Sequence, residues 1–156
     1  MSKQIDPRGQ QFAAAVTSAV LAIVLLTAPG PVGIALLAVQ TALFGAAVVL
    51  GVQRTPVAAL FRTLVRPRLG PPAHLEDPEP PRFAQGVGLG FALVGLVGFV
   101  SGAATLGLLA TGAALVAALL NATIGFCLGC EAYLLLRRLR PTKSRTTGAR
   151  VQESVH

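Results

Sequence analysis

Cys127 and Cys130 are the residues whose type and spacing most directly predict chemistry, because they are the only two cysteines and lie three positions apart. A Cys-x-x-Cys pair can form and break a local disulfide, and the thiolate is the form that attacks. If a helix begins near Cys127, its free amides and its dipole stabilise a negative sulfur there. We therefore predict a redox dithiol in which Cys127 attacks and Cys130 resolves the mixed disulfide.

Two neighbouring residues are predicted to support this pair. Glu131 follows directly and can carry protons to and from Cys130. Tyr133 either donates a hydrogen bond to a sulfur or anchors the segment at a membrane surface, where the amphipathic tyrosine ring is favoured. Glu131 and Tyr133 are therefore interpreted as supporting residues of the candidate site.

Two other interpretations of the cysteines remain open. Cysteine is small and apolar, so with Gly125 and Gly129 the pair can serve only the close packing of helices in a structural or accessory membrane subunit. Alternatively, the cysteines of two protomers in a homo-oligomer jointly bind a soft metal, since one pair supplies half of a four-sulfur site. Within a single chain the sequence predicts no metal site and no cofactor.

The composition indicates an integral membrane protein. Hydrophobic residues make up 53% of the 156 residues, charged residues make up 12%, and the mean hydropathy is +0.69. These values are too apolar for a soluble globule. Four apolar blocks at 12–28, 33–52, 84–102 and 104–125 are each close to the roughly 20 residues that a bilayer core requires. The fold class is therefore predicted to be all-α, with four transmembrane helices in the lipid bilayer.

The distribution of positive charge predicts the orientation. The two short turns, Pro29-Gly30-Pro31 and Ser101-Gly102, carry no charge. Arginine and lysine are concentrated after the second span and after the fourth, at Arg54, Arg62, Arg66, Arg68, Arg82, Arg137, Arg138, Arg140, Lys143, Arg145 and Arg150. By the positive-inside rule we expect a multi-pass protein of the cell membrane with both termini and the middle loop in the cytoplasm. The net charge of +7 then needs no nucleic acid to explain it.

An internal repeat divides the chain into two helical hairpins. Asp6-Pro7 followed by Phe12-Ala13 recurs as Asp77-Pro78 followed by Phe83-Ala84. Aspartate before proline is typical of a helix start, so capping is the predicted role of both aspartates. Repeat one spans 6–69 and repeat two 77–140, separated by a linker at 70–76, within one membrane domain of 1–156.

Each hairpin is predicted to be followed by a short amphipathic helix at the membrane interface. At the offset of the repeat, Pro56–Arg66 aligns with Cys127–Arg137, and we expect interfacial helices at 56–66 and 127–140. Alternatively, the fourth span continues straight to Leu139. The basic tail at 141–156 is polar and predicted to be disordered.

Three polar side chains inside the spans, Gln40, Gln85 and Asn121, are expected to bond across helices, because an unpaired amide in hydrocarbon is costly. Asn121 lies about one and a half turns before Cys127, so it is also the first candidate for a residue that supports the dithiol.

The segments IDPRGQQFAAAV, DPEPPRFAQGVGL and GFCLGCEAYLLLRRL together resemble an uncharacterised bacterial family of small four-span membrane proteins that is common in actinobacteria. The resemblance covers nearly the whole chain. It implies a membrane location and a recurring F-C-x-G-C-x-x-Y motif, here Phe126, Cys127, Gly129, Cys130 and Tyr133. It also implies a loose association with thioredoxin-like and rhodanese-type sulfurtransferase proteins. We therefore expect thiol-disulfide exchange or sulfur relay with such a cytoplasmic partner.

Overall fold

The computed structural model describes residues 4–72 and 74–139, so the predicted tail at 141–156 lies outside the described residues. Four long helices are present: α1 (Pro7–Thr27), α2 (Pro31–Leu50), α4 (Glu79–Val100) and α5 (Ala104–Ile124). A short helix α3 (Pro56–Leu60) follows α2, and α6 (Leu128–Leu139) follows α5. The all-helical class is confirmed for these residues, and the four long helices are long and apolar enough to cross a membrane.

The segment around α3 is irregular. A 3₁₀ turn (Val52–Arg54) precedes it, and the chain continues beyond it as a π-helical turn (Phe61–Val65) and a second 3₁₀ turn (Arg66–Arg68). By contrast, α6 is a regular helix that is separated from α5 by a break at residues 125–127. The alternative of one straight helix from Ala104 to Leu139 is therefore not what the chain adopts.

The first and third spans begin at capped positions before their apolar blocks. The carboxylate of Asp6 accepts a hydrogen bond from the amide of Arg8 at 3.0 Å, and that of Asp77 accepts from the amide of Glu79 at 3.1 Å. Each bond satisfies an amide of the first turn, which has no partner within its helix. The capping role predicted for Asp6 is confirmed, whereas Asp77 lies one residue before the N-cap, Pro78, and bonds to the first turn of α4 from there.

The four long helices form a bundle in which α1, α2, α4 and α5 follow one another around a ring, and α5 closes it against α1. The core contains Leu21, Leu37, Phe44, Ala92, Phe99 and Ala114. The α4–α5 contact is the tightest at Gly98, where a Cβ atom would lie 2.6 Å from the backbone nitrogen of Gly107. Two helices approach this closely only where one of them has no side chain.

The outer surface of the bundle is apolar, and its charges are confined to one end. Leu26, Val49 and Leu109 are among many large hydrophobic side chains that are mostly exposed, with Leu26 at 85%. Among the described residues, every aspartate, glutamate and arginine lies where α1 and α4 begin and α2 and α5 end. We call this the charged end. An apolar surface of this extent requires a nonaqueous surrounding, because water would make it an aggregation site.

Replacing Gly98 with alanine is expected to destabilise the bundle by about 1–3 kcal/mol, because the new methyl group would overlap the backbone of α5. Gly90→Ala on the same helix is the matched control. A Cβ atom at Gly90 meets nothing within 4 Å, so this change is expected to be neutral or stabilising by up to about 1 kcal/mol. The measurement is the unfolding of each variant in detergent micelles. Equal stability of the two variants would contradict the close approach of α4 and α5.

Candidate functional site at the start of α6

The break between α5 and α6 is produced by Gly125. This residue has a φ of 71°, in the left-handed region that favours glycine, and its amide donates to the carbonyl of Asn121 at 3.1 Å. The next amide, of Phe126, reaches back to the carbonyl of Leu120 at 3.3 Å. These bonds use the carbonyls of Leu120 and Asn121 in the last turns of α5, and the chain then leaves the helix and begins a new one at Leu128.

Cys127 occupies the N-cap position of the new helix. Its carbonyl accepts the hydrogen bond of the Glu131 amide at 3.0 Å, and its Sγ accepts one from the Cys130 amide at 3.3 Å. Cys127 and Cys130 form a disulfide with a Cα–Cα distance of 5.2 Å, and both residues are partly buried. The sulfur of Cys127 therefore lies where the free amides and the positive end of the helix dipole favour negative charge.

The first turn of α6 packs directly on the start of α4. A Cβ atom on Gly129 would lie 2.6 Å from the Cα of Ala84, so only glycine permits this contact. One turn later, the rings of Tyr133 and Phe83 lie 5.6 Å apart between centroids. The hydroxyl of Tyr133 donates to the carboxylate of Glu79 at 2.7 Å. One hydrogen bond, one contact between aromatic rings and one close backbone contact thus fix the first turns of α6 relative to α4.

The predicted supporting residues lie in different surroundings. Glu131 is exposed beside the disulfide, while Tyr133 is partly buried and bonds to Glu79 rather than to a sulfur. Asn121 contributes its backbone carbonyl to the break at Gly125. The sequence analysis did not single out Glu79 or Ala84, although the spacing of Phe83 and Ala84 in the repeat marks this turn of α4.

The outer face of α6 combines apolar and basic residues. Leu128, Leu135 and Leu139 are exposed, with Leu139 at 70%, and Arg137 and Arg138 are exposed at its C-terminal end. Such a helix is suited to a membrane surface, with its apolar side in the lipid and its arginines in the headgroup layer. Among the described residues, no group of three or more histidine, cysteine or carboxylate side chains forms a metal site.

The segment after α2 repeats this arrangement with different side chains. Thr55 occupies the N-cap of α3, and its hydroxyl accepts from the amide of Ala58 at 3.2 Å. Phe61 packs on Phe12 with the ring centroids 5.8 Å apart. Thr55, Ala58 and Phe61 thus correspond to Cys127, Cys130 and Tyr133. The offset between the two caps is one residue longer than the offset between Asp6 and Asp77. The structure therefore pairs Thr55 with Cys127, whereas the sequence alignment paired Pro56 with Cys127.

The pKa of Tyr133 is raised above its ordinary value of 10.0, because its hydroxyl donates to Glu79 and because the negative carboxylate opposes a second negative charge. The folded state therefore holds the tyrosine proton more tightly than the unfolded state. This contribution to stability is complete below pH 10.0 and is lost as the pH rises through the higher folded value. Glu79→Gln is expected to return the pKa towards its ordinary value.

The measurement is direct, because Tyr133 is the only tyrosine and the chain contains no tryptophan, so the phenolate absorbance reports one residue. Glu131→Gln on the same helix is the matched control and is expected to leave the titration unchanged. A titration that Glu79→Gln does not alter would contradict the bond between α4 and α6.

Comparison with known proteins identifies the family. A search of the curated proteins found no match, and a search of the solved structures found none either. A family model described as a domain of unknown function (DUF4395) matches residues 5–138, which include both halves of the bundle and the dithiol. This match agrees with the resemblance to an uncharacterised family. The chain therefore belongs to the family of the domain of unknown function DUF4395.

Proposed function

We propose that the protein is a four-span protein of the cell membrane whose charged end lies in the cytoplasm. The apolar outer surface of the bundle and the confinement of its described charges to one end support this placement. Arginines lie after α2 and on α6, whereas the turns at the opposite end of the bundle contain none, which is the asymmetry that orients membrane proteins. Both termini, the middle loop and the dithiol then face the cytoplasm.

Reporter fusions are expected to confirm this orientation. A reporter that is active only in the cytoplasm should be active when fused after Val52 and at the C-terminus, because both points follow spans that return to the charged end. The matched control is a fusion after Gly30, in the uncharged turn between α1 and α2, which should be inactive. A signal from the other side of the membrane at Val52 or at the C-terminus would refute the orientation.

We further propose that the two halves are copies of one hairpin related by an approximate two-fold axis. Ile5 and Glu76 hold equivalent positions, directly before Asp6 and Asp77. They pair with each other through two backbone hydrogen bonds of 2.9 Å. Reciprocal pairing of equivalent residues is expected on a two-fold axis. The packing of α3 on α1 and of α6 on α4 supports the same relation.

The proposed activity is thiol-disulfide exchange or sulfur relay through Cys127 and Cys130. The observation that carries it is the disulfide at the N-cap of α6, with Cys127 Sγ at 3.3 Å from the amide of Cys130. The equivalent cap in the first half uses Thr55, and a hydroxyl holds the turn there. The fold therefore has a cap that needs no sulfur, so the cysteines at this position call for a chemical explanation.

In the reduced state the exchange begins with the thiolate of Cys127. It attacks a disulfide of the partner, forms a mixed disulfide and releases one partner thiolate. The thiolate of Cys130 then attacks Cys127 Sγ, and the second partner thiolate leaves, so two electrons pass from this protein to the partner. Glu131, the next residue along α6, is the proposed acceptor of the proton that Cys130 loses. The proposed partner is a cytoplasmic thioredoxin-like or rhodanese-type protein, and Arg137 and Arg138 lie where they favour an acidic surface.

The two thiols are expected to differ in reactivity. In membranes, the single thiol of Cys130→Ser should be alkylated at neutral pH about tenfold faster than that of Cys127→Ser. The reason is that Cys127 Sγ accepts from the amide of residue 130 at the positive end of the helix dipole, whereas Cys130 lies inside the first turn of α6. The wild-type pair should also oxidise and reduce reversibly in a glutathione buffer, as followed by mass-tagged alkylation.

The same variants separate this proposal from a purely structural role. Cys130→Ser should form a mixed disulfide with a single-cysteine thioredoxin that is activated by thionitrobenzoate, which departs as the thiolate. Cys127→Ser, which keeps a capping oxygen, should do so about tenfold more slowly. If both thiols are inert and the serine variants only lose stability, the cysteines serve packing in an accessory subunit. That alternative has support in the contact of Gly129 with Ala84, which shows that this turn is tightly packed.

A further inference from the structure

A cavity of about 320 Å³ lies between α1, α2 and the α3 segment at the charged end, apart from the dithiol. Arg62 and Arg66 are at its mouth, and Thr17 and Gln40 are at its inner end. From Gly9 to Thr17 the wall follows about two turns of α1, so the cavity reaches roughly 12 Å along the span. Its volume is at the lower end of the range of about 300–1,000 Å³ typical of small-molecule pockets.

The contrast with the second half indicates what keeps the cavity open. There, Gly129 lets the first turn of α6 lie against the backbone of Ala84. At the equivalent positions of the first half are Val57 and Ala13, and both line the cavity. Val57 therefore has a side chain at the position where Gly129 has none, and we infer that this difference leaves room for the cavity between α3 and α1.

The lining combines amides with aromatic rings. Five of the seven glutamines of the chain line the cavity: Gln4, Gln10, Gln40, Gln53 and Gln85. Gln40 is 3% exposed, and its Nε2 donates to Thr17 Oγ1 across 3.4 Å. The rings of Phe44 and Phe61 form part of the walls. Amide donors beside aromatic rings suit a flat group that carries carbonyl oxygens.

The charged groups among the described lining residues are restricted to the mouth. They are Asp6, Arg62 and Arg66, and Asp6 is already paired with Arg8 at 3.1 Å. The inner part is neutral and lies at the depth of Gln40, inside the span. An ionised headgroup is strongly disfavoured at that depth without a partner of opposite charge, whereas a neutral one with hydrogen-bond acceptors is not.

We propose that this cavity binds the head of a lipid quinone. Such a head is flat and neutral, its two carbonyl oxygens accept hydrogen bonds from amides such as that of Gln40, and its ring packs on Phe44 or Phe61. Its prenyl chain is apolar and continues among the apolar side chains of the spans. The site requires the bilayer placement proposed above but no thiol exchange.

The test uses the full chain in detergent micelles with decylubiquinone as the probe, and follows unfolding by helical circular dichroism. A saturable rise in Tm with quinone concentration is expected, because a ligand that binds the folded state stabilises it. Gln40→Leu should weaken binding about tenfold through loss of a hydrogen bond, and Ala13→Leu should abolish binding by filling the cavity. Ala13→Leu keeps the test valid if Gln40→Leu fails to fold.

Two matched controls lie on α1 outside the cavity. Gln11→Leu removes an amide that lies beside Gly125, and Ala15→Leu adds the same bulk as Ala13→Leu on an exposed face. Both should bind as the wild type does, and so should the Cys127→Ser/Cys130→Ser double variant, which separates this site from the dithiol. The proposal is overturned if no saturable shift occurs or if all variants respond equally. It is also overturned if phosphatidylglycerol produces the cavity-dependent shift and the quinone does not.

Discussion

A backbone amide inside hydrocarbon has no water to bond with, and this constraint decides where the chain can depart from a regular helix. Each of the four long helices runs without a break through its apolar block, and the irregular segments lie beyond the helix ends. The left-handed Gly125, the free first turn of α6 and the irregular turns around α3 are all at the charged end. A helix N-terminus with free amides is tolerated only beyond the apolar blocks, and the first turn of α6, which holds the disulfide, lies beyond the end of α5.

The caps of α3 and α6 show how one backbone arrangement accommodates different side chains. Thr55 and Cys127 accept the same hydrogen bond at the start of α3 and α6, at 3.2 and 3.3 Å. Oxygen and sulfur are thus equivalent for capping, but only sulfur can exchange a disulfide. A pair of cysteines replacing a threonine and an alanine leaves the turn intact. The redox proposal follows from this equivalence, because the cap alone does not account for the sulfur.

Periodicity and composition were sufficient to predict the four long helices, because a bilayer-spanning block is continuous and apolar. The helices begin before those blocks, at Pro7 and Glu79, since the capping aspartates rather than hydropathy determine the first turn. The sequence also predicted Cys127 and Cys130 as the candidate site. Glu79 and the cavity were not predicted, because they depend on which helices meet. The Tyr133–Glu79 hydrogen bond joins residues that are 54 positions apart, so no local sequence pattern predicts it.

The alignment of the segments after α2 and after α5 could not be predicted from the sequence either. The offset between Asp6 and Asp77 aligns Pro56 with Cys127, whereas the N-caps of α3 and α6 in the structure align Thr55 with Cys127. A shift of one residue changes which side chains face the bundle, because each residue of a helix turns by about 100°. In the shifted register Val57 corresponds to Gly129. Gly129 permits the contact of α6 with Ala84, whereas Val57 has a side chain at the corresponding position and lines the cavity.

Ala84 and Gln85 are adjacent on α4, and they contact the start of α6 and the cavity under α3, respectively. Ala84 supports the first turn of α6, and Gln85 lines the cavity under α3. The start of α4 therefore contacts both the dithiol and the proposed quinone site without being part of an irregular segment. A rigid helix between two sites fixes the distance between them, so a change at one site alters the other only by moving α4 as a body. Because α4 packs on α2 and α5 through the core, such a movement requires repacking of the whole bundle. The two sites are therefore expected to act independently in a single folded state.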